Sequence, residues 1–269
     1  MFIKSVFLIA FTFSHIVFSD VLPPDDTLRH DSHRPLKITS GIILLGAECI
    51  GFPLLDVKFN YGKLPRLRNP FRYIKEKEPF LQDELWHFVG ASAFTELNYY
   101  LFQNLLYLEN PYLISGLFSI AFWTGMECFD ALSGSGFSIR DECGNIFGTL
   151  FSLYSIKHPD FPVRMRIGVK NLKSFSSSVK KAVTGSVHHQ LGRQYNFMKV
   201  ELIYMIPDLP VYTGFAVSRN SKKQDLYGVT AGIDIIDYCN GLKDGWWNKP
   251  LAFLSHHFSF SVNFTWWWD

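Results

Sequence analysis

Six polar side chains stand in three pairs inside otherwise apolar segments. Asp83 and His87 are four residues apart in "QDELWHFVG", Glu127 and Asp130 three apart in "GMECFDALSGSG", and Asp141 and Asn145 four apart in "IRDECGNIFG". At those separations a helix puts both members of a pair on one face. Burying a lone carboxylate is costly, so in so apolar a setting these groups are expected to find one another, a metal ion or helix N-termini.

Three chemistries fit that set. One His and several carboxylates match the ligand preferences of Zn, Mn or Fe, which makes Asp83, His87, Glu127, Asp130 and Asp141 candidate ligands of a divalent metal. Alternatively His87, oriented by Asp83, and Glu127, its pKa raised by burial, are a candidate catalytic acid/base pair. Thirdly, the same groups can form a buried network that fixes how three helices cross, with Glu127 bonded to His87, Asp130 or Asp141 capping a turn and Asn145 bridging backbone. The serines of "LSGSGFS" lack the G-x-S-x-G setting of a nucleophile elbow. His188–His189 and His256–His257 read as solvent-facing or strand-end pairs whose side chains diverge. Trp246–Trp247 and Trp266 to Trp268 read as an interfacial girdle or a cap on the core.

The elements that must carry the three pairs are helices. "ITSGIILLGAECIGFPLLDVKF" supplies about five turns, a second helix is expected over 81–107, a third starts at the Pro of "ENPYLISG", and Ser138 caps a fourth over 139–156. These form a bundle of about four apolar helices over 38–156. The Gly-rich turn holding Gly136 joins the last two, and Gly148 sits in the fourth.

Beyond Pro159 the period changes to two. "VRMRIGVKN" and "HFSFSVNFTWWW" alternate most cleanly, and weaker strands are expected over 198–206, 211–218 and 226–236. "RNSKKQD" is a hairpin connection, and the Ser- and Lys-rich "SFSSSVKKAVTGSVHHQLGRQ" a surface loop or short helix. The fold class is therefore α+β, the bundle being followed over 160–268 by an antiparallel sheet or partial barrel of about five strands. Phe258, Phe260, Val262, Phe264, Trp266 and Trp268 share one strand face, which suits either lipid or a helical layer. Five strands are fewer than the ~8 of the smallest membrane barrel.

Composition narrows the function classes. The formal net charge of +2 and scattered Lys and Arg argue against nucleic acid, whereas 17% aromatic residues suit a membrane interface. Residues 1–19, "MFIKSVFLIAFTFSHIVFS", have one Lys, an apolar run too short to span a bilayer, and small or apolar residues at the cleavage positions. This is the pattern of a secretory signal peptide, with a polar segment over 20–37, the helical domain over 38–157 and the β region over 158–269. Cys49, Cys128, Cys143 and Cys239 have no C-x-x-C spacing, which argues against a zinc site. They read as small buried hydrophobes, a Cys128–Cys143 disulfide being the other possibility.

The residues from "FLQDELWHFVGAS" and "GMECFDALSGSGFSIRDECGNIFGTLF" together resemble the YfiM-like group of exported, lipoprotein-like proteins of unknown function. The family's Glu-x-x-Asp-Gly and Gly-Phe-Ser-x-x-Asp-x-x-x-Asn-x-x-Gly patterns fall on Glu127, Asp130, Gly136, Phe137, Ser138, Asp141, Asn145 and Gly148, and its Asp/His pair on Asp83 and His87. The resemblance covers 38–269, strongest over 80–155. Glu84 stands where the family often has Lys, and no Cys follows the apolar N-terminal run to take a lipid. A fainter similarity, in the order of Asp/His, acidic and Asp-x-x-x-Asn helices, is to VanZ-like membrane proteins. The resemblance implies location and motif rather than a reaction. The expectation is an exported protein of the periplasm or outer membrane of a Gram-negative-type cell, structural or interacting in role, with membrane lipid or an outer-membrane protein as partner. The other reading is an envelope hydrolase or metal-binding protein acting on lipid or glycan.

Overall fold

A computed structural model describes residues 34–56, 81–133, 137–170, 198–219, 224–235, 248–259 and 261–268. Four helices come first, α1 Arg34–Asp56, α2 Leu81–Asn104, α3 Pro111–Ser133 and α4 Ile139–Lys157. Five strands follow, β1 Val163–Val169, β2 Met198–Met205, β3 Val211–Arg219, β4 Asp225–Asp234 and β5 Ser261–Trp268, with a short helix α5, Asn248–His257, in the last connection. The α+β class with an antiparallel five-stranded sheet is as the sequence pattern implies. The first helix begins at Arg34, inside the segment read as polar.

Local chemistry fixes the helix ends. Ser138 is extended and its hydroxyl accepts from the Asp141 N–H at 3.3 Å, while Asp141 and Glu142 in the first turn and Lys157 in the last suit the helix dipole. Pro111, which has no N–H to lose, opens α3. In α4, Gly144 and Gly148 let the helix lie directly on α2. A Cβ on Gly144 would stand 2.6 Å from the Glu84 carbonyl oxygen, and one on Gly148 would collide with the carbonyl of Phe88. Hydroxyls join the bundle inside, where Thr149 lies 3.4 Å from Thr95 and 3.2 Å from Ser119.

The sheet is a meander in the order β1-β2-β3-β4-β5, every pair antiparallel. It is not a closed barrel, but a bridge joins its two ends: the Ser259 N–H, just ahead of β5, donates to the Ile167 carbonyl of β1 at 2.8 Å. Side chains bond between strands that are not neighbours, Lys199 of β2 donating to Asn263 and Thr265 of β5 at 2.9 and 3.0 Å, and Tyr212 of β3 meeting Ser261 at 2.7 Å. Such contacts require the sheet to curl around its polar face.

Polarity is inverted as a result. Arg166, Glu201, Thr230 and Asp234 are fully buried on the concave face. On the convex face the register sets Met165, Leu202, Phe215, Val229 and Trp266 in one row across all five strands. Among the described residues its β1 end is covered, where Val89 of α2 packs on Met165 and Val200. Further along the sheet Phe215 is 63%, Trp266 68% and Phe264 69% exposed. The bundle buries polar and apolar residues together, Ser92, Thr95, Asn98, Ser119, Thr149 and Ser152 beside Val89, Phe94, Leu101 and Phe102, and leaves Leu113, Leu117, Phe147 and Leu150 exposed.

Two expectations are corrected. The segment before β5 is helical, so His256 and His257 lie in the last turn of α5, where they converge on one carboxylate instead of diverging on a strand. Cys49, Cys128 and Cys143 are exposed free thiols, neither buried hydrophobes nor a Cys128–Cys143 disulfide, because each stands on the outward side of its helix. Cys239, Gly136, His188–His189, Trp246–Trp247 and the N-terminal 33 residues lie outside the described residues.

Candidate functional site

The close approach that Gly144 and Gly148 permit brings α4 against the turn of α2 that carries His87. α3 delivers Glu127 from the other side. One ligand atom each from His87, Glu127 and Asp141 lies within 4.8 Å of the others. The His87 Nδ1 is 3.6 Å from Glu127 Oε1 and 3.1 Å from Asn145 Oδ1, and its Nε2 is 3.9 Å from Asp141 Oδ2. The ring thus stands between two acids and can either link them or turn one nitrogen towards a cation held by both. Glu127 and Asp141 are buried while His87 is partly exposed, so of the three it is the imidazole that reaches solvent. The Trp123 ring packs edge-on against His87 with centroids 5.9 Å apart.

Electrostatics mark Glu127 most. Burial pushes its carboxyl from the ordinary value of 4.5 up to about 7; the charges of Asp141 and Asp130 add to the rise, while His87 and the Ser138 N–H oppose it. That N–H donates to Glu127 Oε2 at 3.3 Å, so Ser138 caps α4 with its hydroxyl and ties α3 to α4 with its backbone. Asn145, held by Glu142 at 3.3 Å through its Nδ2, presents its oxygen to His87.

Of the residues singled out in the sequence, His87, Glu127, Asp141, Asn145, Ser138 and Gly148 come together. Asp130 is one turn from Glu127 and outside the close group, acting on it through charge. Asp83 is in the first turn of α2, its side chain outside the described set. Glu84 faces outward to Arg140 at 3.5 Å, a partly exposed pair of little energetic weight. Gly144 was not among the residues the sequence pointed to, although its i, i+4 spacing from Gly148 is the small-residue signal that could have found it.

A second polar constellation went unread. Glu96 of α2 is buried with its Oε2 2.8 Å from His257 Nε2 and its Oε1 3.5 Å from His256 Nδ1. Burial alone would raise Glu96, but the two imidazoles outweigh it and hold the carboxyl well below the usual range. The contact spans 161 residues of sequence, and neither half carries a spacing motif.

Comparison with protein-family models, curated proteins and solved structures gives no match.

Proposed function

We propose that the chain is an exported envelope protein that serves as a scaffold at a membrane, its convex sheet face and the outward sides of α3 and α4 resting against lipid. The observation that carries this reading is the inversion of polarity in the sheet, with large apolar residues exposed on the outward side of the bundle as well. Water-facing sheets turn polar residues out and apolar residues in, and contiguous exposed apolar surface marks an interaction face. Here Arg166 is fully buried on the concave face while Trp266 of the convex face is exposed. Aromatic residues at the edge of that face, Tyr204, Tyr227 and Trp268, have the amphipathic rings that favour the head-group region. Of the described helices one, over Pro111–Ala131, is long and apolar enough to cross a membrane by length and composition. The signal-like N-terminus and the YfiM-like motif support an envelope location.

The test is flotation of the purified chain with anionic phospholipid vesicles. The protein should rise with the vesicles, and Phe264→Ser combined with Trp266→Ser should cut partitioning by at least about tenfold, given ~1.5–3 kcal/mol for each large apolar side chain removed from water. A wild-type chain that stays at the bottom of the gradient defeats the reading.

The geometry of His87, Glu127 and Asp141 favours a second reading, a divalent metal site in an envelope hydrolase or metal-binding protein acting on lipid or glycan. The nitrogen and two carboxylates fit such an ion, which would supply charge to polarise a bound oxygen or water. Titration with Mn²⁺ or Zn²⁺ should give saturable binding that Glu127→Gln removes; binding unaltered in that variant rejects the site.

A further inference from the structure

Where the two halves of the molecule meet, α2, α4, α5 and β1 surround a cleft lined by Glu96, Ser152, Ser155, His158, Arg164 and His257. None of these groups belongs to the His87 cluster. Three polar atoms on its wall, Ser152 Oγ, Ser155 Oγ and His257 Nδ1, are buried and have no hydrogen-bond partner. Ser152 and His257 are buried almost completely, at 1% and 3% exposure. Leaving a buried polar group unsatisfied costs ~1–3 kcal/mol, so three around one cleft, two from α4 and one from α5, call for a ligand that completes them.

The chemistry of the wall selects the ligand. Glu96 is spoken for by its two imidazoles. With its Nε2–H donating to that carboxylate, the His257 ring turns Nδ1 away from the acid, and it donates from there to an oxyanion as the imidazolium of the Glu96 ion pair. Arg164, fixed by donating to Ser255 Oγ at 2.8 Å, adds a permanent positive charge. Two hydroxyls, an imidazole nitrogen and a guanidinium are the usual partners of a carboxylate or phosphate oxygen. The rest of the lining is apolar, Phe151, Phe161 and Met165, and the Phe161 ring meets Tyr154 at 5.0 Å, on a side of α4 that is exposed. An acyl chain leaving the cleft would find apolar surface at once.

We propose that this cleft is an oxyanion-binding site that takes a single carboxylate or phosphate group, with Ser152, Ser155 and His257 as hydrogen-bonding partners and Arg164 as the fixed charge. The group can belong to an amphiphile or be free. The proposal is independent of whether the His87 cluster holds a metal.

Calorimetric titration of the full chain with octanoate below its micellar concentration, with inorganic phosphate, and with octanol distinguishes the cases. Saturable binding of octanoate alone identifies an amphiphile headgroup, of phosphate alone a free anion, and of both a site that reads only the oxyanion. In each case the double variant Ser152→Ala, Ser155→Ala should weaken binding by about tenfold or more, at roughly tenfold per 1.4 kcal/mol of hydrogen bonding lost. Its melting temperature without ligand should be unchanged or higher, since two unsatisfied hydroxyls are removed. The proposal is overturned if neither anion binds, if octanol binds as well as octanoate, or if the double variant binds normally. A clearly lower melting temperature also overturns it, because the hydroxyls would then be structural.

Discussion

The helical and strand halves of this chain both turn charge inward, but they balance it differently. In the sheet, buried Arg166 and Lys199 face buried Glu201 and Asp234, two cations to two anions. Lys199 is 2.7 Å and the Arg166 Nε 3.3 Å from Glu201, another Arg166 nitrogen bonds Asp234, and the guanidinium stacks 4.3 Å over the Tyr212 ring. Burial would raise Glu201, but Lys199 and Arg166 outweigh it and hold its carboxyl below the ordinary value. In the bundle, Glu127 and Asp141 share the His87 imidazole, no Lys or Arg among the described residues stands within ion-pair distance of Glu127, and Glu127 is raised instead. A network balanced in charge has no call for a further ion and is structural. A network short of positive charge has to recruit a proton or a cation, which is where chemistry or regulation can enter.

Removing a charge from the balanced side should have the largest effect. Arg166→Met leaves Asp234 buried without its guanidinium and Glu201 with Lys199 alone, at a cost of about 3–5 kcal/mol. Urea unfolding should show this loss, and adding Asp234→Asn should recover a substantial part of it. If Arg166→Met unfolds at the wild-type urea concentration, the sheet network is not the self-contained unit described.

The bundle depends on distance where the sheet depends on charge. Gly148→Ala forces α4 off α2 at the Phe88 carbonyl, an overpacking of backbone that costs typically ~1–3 kcal/mol. The same displacement separates Asn145 from His87, so the imidazole NMR signals should shift even where the fold survives. Gly125, with open space around it, is the control, and Gly125→Ala should be neutral or slightly stabilising.

What the sequence disclosed follows from what periodicity records. The change from helical spacing to alternation after Pro159 separates the halves, and the i, i+3 and i, i+4 pairs mark Glu127, Asp130, Asp141 and Asn145 as sharing helix faces. Alternation also groups Phe264, Trp266 and Trp268 on one strand face, but it is silent on which face the sheet curls around. That depends on Lys199 reaching Asn263 across the fold. α5 was illegible because "NKPLAFLSHH" is about three turns long and runs into the alternating "HFSFS", so its two histidines read as strand residues. Glu96 lies 161 residues from His257, and no local pattern links groups so far apart.

The pH dependence of stability bears most directly on the unbalanced cluster. Between pH 4.5 and about 7 the folded chain keeps a proton on Glu127 that the unfolded chain has released. Stability should therefore fall as pH rises through that window, by an amount on the order of 2–3 kcal/mol, and level off above it. Glu127→Gln, which cannot ionise, should remove this part of the slope and leave a residue of the same sign from Glu48. That carboxyl is also raised to about 7, by burial that its hydrogen bond with Asn98 only partly offsets. A divalent cation reverses the trend for the wild type alone, because it binds the ionised carboxylate and so adds stability as pH rises towards and beyond 7. Unfolding curves at pH 5 and 8, with and without Mn²⁺, thus decide whether the missing positive charge is supplied by a proton or by a metal. If the two wild-type curves with Mn²⁺ keep the order of the two without it, the cluster is completed by a proton, and its role is to hold three helices together.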